Sequence, residues 1–437
     1  MNETLLLALY LTPFGLIFGL YVRGHRLQRE RNLMAREEAL EAGLTEPPSL
    51  HPVIDPLRCV GCAACVNACP EMPGHQVLGL LRGKAQLISP TDCIGHGACR
   101  EACPVDAITL VFGTERRGME IPHVRPDFQT NVPGIFIAGE LGGMGLIRNA
   151  IEQGRQAVDS IRSTGRSKDA ELLDVLIVGA GPAGFSASLA AMEHGLRFAT
   201  VEQDSLGGTI AHFPRGKLVM TAPATLPIVG NFRFRETTKE RLVEYLAKVE
   251  KDTGLPINYG ERVEDIAPEP GGFVVTTTTA HYRCKNVLLA IGRRGTPRKL
   301  NVPGEELPKV TYRLIDPDQY AGQQVLVVGG GDSALEAAWS IAETPDSQVT
   351  LSYRSEAFSR AKKKNREKLE AAVAAGRLRV LTKSQVAEID VQHVDLVHED
   401  RVHRIPNDTV IVNAGGILPN DFLRRIGIQV ETKYGTA

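Results

Sequence analysis

Apolar positions fall into distinct rhythms along the chain. From Thr4 to Val22 no charged residue interrupts nineteen positions, which is long enough for a helix that spans a bilayer. Arg23, Arg26, Arg29 and Arg31 follow at once, and residues 23–43 predict a charged helix lying near lipid headgroups, ended by Pro47-Pro48. A cleaved signal peptide would need its basic residues before the apolar stretch; here the order is reversed. Later come two short unbroken apolar runs, Val175-Leu-Ile-Val178 and Val325-Leu-Val-Val328. Each runs straight into glycines, as buried parallel strands feeding helices do.

The glycines give these strands a chemistry. Gly179, Gly181 and Gly184 form a G-x-G-x-x-G turn, an alanine-rich helix follows over 183–194, and Glu202 ends the next strand in a position suited to ribose hydroxyls. The second run keeps Gly329 and Gly331 and places Ala334 at the third glycine position. Its following strand, Val349-Thr-Leu-Ser-Tyr-Arg354, ends in no acid but offers Arg354 and then Arg360, which favours NADPH over NADH. Lys362, Lys363 and Lys364 read as a solvated helix face.

Seven of the eight cysteines crowd between residues 59 and 103. Cys59, Cys62, Cys65 and Cys69 before Pro70 carry the C-x2-C-x2-C-x3-C-P spacing of bacterial-type iron–sulfur ligation, whose fourth cysteine serves the other cluster. Cys93, Cys99 and Cys103 before Pro104 repeat it, with His96 in place of a cysteine. Cys59, Cys62, Cys65 and Cys103 are therefore expected to hold one [4Fe-4S] cluster, and Cys93, Cys99 and Cys69 the other. His96 either ligates the fourth iron of that second cluster or stands beside an open position of a [3Fe-4S] cluster; its place in the ligand slot favours ligation. Zinc is the weaker alternative, since its structural sites close with four ligands from paired short knuckles. Clustered thiols point to a reducing compartment, and Cys284, alone, reads as a small core residue.

Lys plus Arg total 50 against 51 Asp plus Glu, so no charge bias points to nucleic acid. There is no Ser/His/acid or Cys/His hydrolytic set. His212, in Ala211-His-Phe-Pro, reads as a packed loop histidine before a flavin-side proton carrier, and Gly207-Gly208 as a close backbone approach to a dinucleotide.

The two glycine turns resemble those of the thioredoxin-reductase-like flavoproteins, which insert an NAD(P)H domain into an FAD domain. Leu288-Leu-Ala-Ile-Gly-Arg-Arg-Gly-Thr-Pro297 is similar to that family's link between the domains, and Asn413-Ala-Gly-Gly-Ile-Leu-Pro-Asn420 to its return strand. The family's last landmark, Thr-x-x-Pro-Gly running to Ala-Gly-Asp, ordinarily lies near the C-terminus. Here it reads Gln129-Thr-Asn-Val-Pro-Gly-Ile-Phe-Ile-Ala-Gly-Glu140, ahead of the first fingerprint, and continues through Gly145 as the family's final helix does. The resemblance implies a circular permutation, with Gly139, Glu140 and Gly145 at the flavin. Glu140 is one methylene longer than the usual ribityl-binding aspartate. The permutation makes the cysteine module contiguous with the flavin-facing strand and helix, and clusters held close to FAD are expected.

The expected fold is α/β: two Rossmann-like dinucleotide-binding domains, permuted, with a small α+β dicluster ferredoxin domain and one N-terminal transmembrane helix. The boundaries are 1–22 for the transmembrane helix, 23–52 for the basic helix and linker, 53–112 for the ferredoxin domain and 113–165 for the permuted segment. FAD binding follows over 166–295, NAD(P)H binding over 296–412 and the return strand over 413–437. The family's thiol pair is missing from both of its usual places, so disulfide exchange lacks its second sulfur. The expectation is a membrane-anchored oxidoreductase passing electrons between NADPH (or NADH), FAD and two iron–sulfur clusters, to or from a protein or quinone-type carrier, in either direction. A disulfide reductase using an external thiol and a relay subunit of a larger membrane complex are the rivals. The arginines after the apolar stretch place the catalytic part on the cytoplasmic side of a cell inner membrane, single-pass; a homodimer is compatible with all of this.

Overall fold

The structure, a computed structural model, describes residues 3–41, 47, 50–72, 76–93, 95, 97–114, 118–143, 146–167, 169–220, 224–232, 236–293, 295–358, 361 and 363–435. It divides into two compact units: residues 1–117 with 357–363 and 434–437, and residues 118–356 with 364–433.

In the first unit, helix α1 (Glu3–Glu41) runs through Pro13. Its second half is pinned to the cysteine module, where buried Asn32 donates from Nδ2 to the Leu80 carbonyl at 3.2 Å. Among the described residues no helix is long and apolar enough to cross a membrane, so the expected transmembrane helix is not supported.

The module itself comprises β1 (His51–Ile54), α2 (Ala64–Asn67), β2 (Leu78–Leu81), β3 (Lys84–Leu87), α3 (Ala98–Glu101) and β4 (Ile108–Val111). Strand β1 pairs antiparallel with β4, setting Ile54 opposite Ile108. Strands β2 and β3 form a hairpin whose turn residues, Arg82 and Gly83, both have positive φ, as a two-residue hairpin turn demands. Helices α2 and α3 are entered alike, through left-handed residues Ala63 (φ 62°) and Gly97 (φ 82°). Each of these helices carries one buried cysteine of its run, Cys65 and Cys99.

The second unit opens with β5 (Met119–Pro122), β6 (Ile135–Ile137), α4 (Ile147–Ser163), β7 (Leu173–Val178), α5 (Pro182–Glu193) and β8 (Phe198–Glu202). It continues through α6 (Lys239–Thr253), β9 (Asn258–Tyr259), β10 (Val263–Glu269), β11 (Gly272–Thr277) and β12 (His281–Leu289). Among the described residues these build a seven-stranded sheet in the order β9-β8-β7-β12-β11-β10, with β6 added in parallel beside Val287–Leu289 of β12. Ile135, Phe136 and Ile137 are each only 1% exposed, so this early strand belongs to the core. Helix α4 covers it with Ala150, Ile151, Gly154, Ala157, Val158 and Ile161, one face at helical spacing.

The second lobe of this unit is a parallel sheet of β13 (Val310–Thr311), β14 (Gln324–Val328), β15 (Gln348–Ser352), β16 (Leu378–Leu381) and β17 (Thr409–Val412), in the order β13-β17-β14-β15-β16. Helices α7 (Asp332–Ala342) and α8 (Lys363–Ala374) connect its strands, and a three-stranded antiparallel sheet spans 384–406. Lys217 reaches across from the first lobe to Glu336 of α7, Nζ to Oε2, at 2.5 Å. Helix α9 (Asn420–Arg425) and β18 (Val430–Lys433) then return to the first lobe, where β18 pairs antiparallel with β5, Lys433 opposite Met119.

Candidate functional site

Three neighbouring cysteines, Cys59, Cys62 and Cys65, and the distant Cys103 line one cavity of the first unit, together with Ile54, Ala85 and Ile108. This is the first expected ligand set, including the fourth cysteine borrowed from the second run. The Ala107 N–H donates to Cys103 Sγ at 3.3 Å and the Ala85 N–H to Cys59 Sγ at 3.5 Å, so backbone donors already face the sulfurs. Such bonds stabilise thiolates and tune cluster potentials. The four sulfurs line one shared small cavity, and it is their bacterial-type spacing that points to a cluster.

Cys69, Cys93 and Cys99 are buried together, and the charge of Cys69 is felt at both Cys93 and Cys99. Burial pushes the thiols of Cys65, Cys93 and Cys99 up to about 11, and Cys69 up as well. Iron binding would therefore have to displace protons, as metal sites built on thiols do. His96 lies outside the described residues.

The large cleft of the second unit encloses about 1210 Å³. Among the residues lining it are Gly139, Glu140, Gly179, Gly181, Glu202 and Gly208. Gly179 has φ 105°, and a Cβ there would stand 2.6 Å from the Ala290 carbonyl, so no other residue fits this turn. Gly181 caps α5 and Pro182 begins it, presenting the helix N-terminus to the cleft, where a pyrophosphate is favoured. Gly184 sits behind the cleft wall, packed on Gly179. The Glu202 carboxylate accepts the Ala180 N–H at 2.7 Å and the Asp204 N–H at 2.9 Å, leaving lone pairs for hydroxyl donors.

Gly208 lies on the cleft, packed against the first glycine turn, where a Cβ would come within 3.1 Å of Gly181 Cα. His212 is held between charges, Nε2 at 3.0 Å from Asp204 Oδ2 and Nδ1 at 2.5 Å from Arg313 Nη1, and it lines the cleft. Both of its ring nitrogens are thus engaged by charged neighbours.

Gly139 and Glu140 come from the early segment yet stand at this cleft. The Gly139 N–H donates to Gln153 Oε1 of α4 at 2.9 Å, a partner the sequence did not single out. Burial raises the Glu140 carboxyl, while the Arg293 guanidinium and backbone N–H act to lower it. Arg293 is the second residue missed. Its only advance signal was an arginine pair inside a segment that resembles an inter-domain link. Gly145 lies outside the described residues. Among the described residues lining this cleft there is no cysteine.

In the second lobe, Gly329 (φ 147°) turns against the Asn413 carbonyl, and Ala334 is fully buried at the start of α7. A Cβ at Gly331 would meet nothing within 4 Å, so this turn keeps an open approach for a phosphate. Arg354 stands exposed just beyond β15, on the side where a ribose would follow the turn. Arg360 lies outside the described residues.

Comparison with known proteins agrees with this geometry. The pyridine nucleotide-disulphide oxidoreductase family matches residues 176–436, and a 4Fe-4S dicluster domain matches residues 51–104. A ferredoxin–NADP reductase of Ignicoccus hospitalis is 28% identical over 265 residues, covering 60% of this chain and 83% of that protein. One from Acholeplasma laidlawii is 30% identical over 273 residues, covering 60% and 79%. Among solved structures, the bacillithiol disulfide reductase of Bacillus cereus aligns with a TM-score of 0.53 at 25% identity, covering 59% of this chain and 82% of that one. The chain belongs to the pyridine nucleotide-disulphide oxidoreductase family, as an FAD-dependent NAD(P)H oxidoreductase that carries a 4Fe-4S ferredoxin domain.

Proposed function

We propose that this protein passes electrons between NADPH and a protein electron carrier of the ferredoxin type, using FAD and two iron–sulfur clusters held within one chain. The observation that carries the reading is the pairing of a cysteine-lined cavity, Cys59, Cys62, Cys65 and Cys103, with a dinucleotide cleft whose described lining holds no cysteine. Thiol exchange at the flavin has no partner there, whereas the first unit offers a one-electron route. FAD, when bound, accepts a hydride and yields single electrons, and iron–sulfur centres carry them singly. The protein's part is to hold these groups. Gly179, Gly181 and Glu202 would seat the adenosine and pyrophosphate of FAD, Gly139 and Glu140 its ribityl side, and Gly329, Gly331, Ala334 and Arg354 the NADPH. Cys69, Cys93 and Cys99, with His96 in the fourth slot, would hold the second cluster. The relatives' names, ferredoxin–NADP reductase, support a ferredoxin-type partner.

The FAD lobe is read as circularly permuted. Strand β6 sits in parallel beside β12, and β18 pairs with β5 so that Lys433 faces Met119, the two ends a short hairpin turn would join. Strands so placed suit a fold whose order in the chain was changed and whose order in space was kept.

Membrane association of α1 is a further part of this reading. Phe14, Leu16, Ile17, Phe18 and Leu20 are exposed on successive sides of the helix, and Arg23 and Arg26 follow. Arginines on that flank place the remainder of the chain on the cytoplasmic side. Full-length protein that stays in solution when mixed with anionic lipid vesicles would remove this part alone.

Anaerobic reconstitution tests the whole. NADPH should bleach the flavin and then raise the EPR signal of reduced clusters in the same sample. Protein that binds FAD but whose iron never responds to NADPH would overturn the reading.

A further inference from the structure

We propose that Lys84 is a positioning residue of the first cluster site: its ammonium fixes the Cys59 loop and, by its charge, favours the reduced form of the cluster held there. The inference rests on the reading of Cys59, Cys62, Cys65 and Cys103 as cluster ligands.

The β2–β3 hairpin meets that loop with three successive residues. Gly83, in the turn, lies against Gly61, where a Cβ would stand 2.1 Å from the Gly83 carbonyl oxygen. Gly61 also has φ 70°, so only glycine suits both the conformation and the clearance. Lys84 comes next, and its Nζ donates to the Cys59 carbonyl at 2.6 Å. Ala85 follows; its N–H donates to Cys59 Sγ at 3.5 Å, and it lines the cavity with the four cysteines. Cys59 is thus held twice, at its carbonyl by a cation and at its sulfur by a backbone donor.

The hairpin fixes where that cation sits. Lys84 pairs with Leu81, and Arg82 and Gly83 between them close the turn with positive φ. Lys84 is half-buried, so water screens its charge less than that of a free surface lysine. The acceptor at 2.6 Å is a neutral carbonyl, which leaves the positive charge in place. Reduction adds one negative charge inside the ring of sulfurs, and cluster potentials follow the charge and hydrogen bonding around them. A cation fixed on a ligand loop therefore stabilises the reduced state more than the oxidised one. The blander reading gives Lys84 only the mechanical task of holding the loop, and a potential tells the two apart.

Redox potentiometry followed by EPR decides the matter, on full-length protein reconstituted anaerobically with iron and sulfide. The component lost in C103S identifies the first cluster. K84M, which keeps the apolar stem and removes the charge, should retain iron and shift that component's reduction equilibrium roughly tenfold towards the oxidised form. For one electron this is a fall of about 59 mV. K84R, which keeps the charge, should stay within about twofold of wild type. K84Q, neutral but still a donor, replaces K84M if the latter holds no iron, and the same fall is expected. An unchanged midpoint in the neutral variant, or an equal fall in K84R, overturns the proposal. Iron lost from K84M and K84Q alike makes the role one of assembly alone and overturns it too. Wild-type protein that takes up no iron, or signals that survive C103S unaltered, overturn the cluster reading and this inference together.

Discussion

Glu202 accepts the Ala180 N–H at 2.7 Å, tying the end of β8 to the middle of the first glycine turn. The residue serves the fold and the ligand together, because the same carboxylate that faces the cleft also satisfies a buried donor. E202A should weaken FAD binding by roughly one to two orders of magnitude and should also destabilise the flavin-free protein by about 1–3 kcal/mol, the cost of an orphaned buried N–H. FAD titration and urea denaturation of the same variant separate the two effects.

Two glycines of the nucleotide turns are constrained by different things. A Cβ at Gly184 would stand 1.8 Å from the Gly179 carbonyl, so G184A should cost about 1–3 kcal/mol or prevent folding. At Gly331 the space is open, so G331A should leave the unfolding midpoint unchanged and raise KM for NADPH, by about tenfold if the methyl blocks a phosphate. A G331A variant with normal KM would show that NADPH does not approach this turn.

The borrowed cysteines give an exchanged phenotype. Cys103 lines the cavity of Cys59, Cys62 and Cys65, whereas Cys69 is coupled to Cys93 and Cys99. C103S should therefore impair the cluster of the first run, and C69S that of the second, each against its position in sequence. Loss of the same EPR component in C103S as in C59S, and of a different one in C69S, is the expected result.

Asp174 predicts the acid limb of stability. Its carboxylate is buried, which alone would oppose ionisation, but the Arg197 and Ser167 N–H groups and the Arg197 guanidinium outweigh burial and hold it below the usual carboxylate range. A depressed carboxyl stabilises the fold above its unfolded value of about 3.9 and loses that contribution as pH falls through the folded value. Wild-type stability should fall in that acid window more steeply than that of D174N. At pH 7, D174N should be less stable by about 1–3 kcal/mol in chemical denaturation.

These contrasts also show what could be read from residues alone. The glycine turns and the strands before them were legible because each is a local spacing tied to a fixed backbone need. The contacts of Gly139 with Gln153, of His212 with Asp204 and Arg313, and of Arg293 with Glu120 were not. His212 and Arg313, and Arg293 and Glu120, lie more than a hundred residues apart and meet only through packing, and no short motif announces any of these contacts. The membrane helix is a different case: apolar length alone suggested it, and among the described residues no helix is long and apolar enough to cross a membrane.

The pairing of β6 with β12 sets an order of events during synthesis. Ile135–Ile137 leave the ribosome long before Val287–Leu289, the strand they must lie beside, so a nascent chain carries an unpaired apolar strand while everything between is made. The cysteine module, whose strands pair with one another, can close meanwhile. Slow assembly of the nucleotide lobe, and a demand for chaperone shelter at that stage, follow from one late-arriving neighbour.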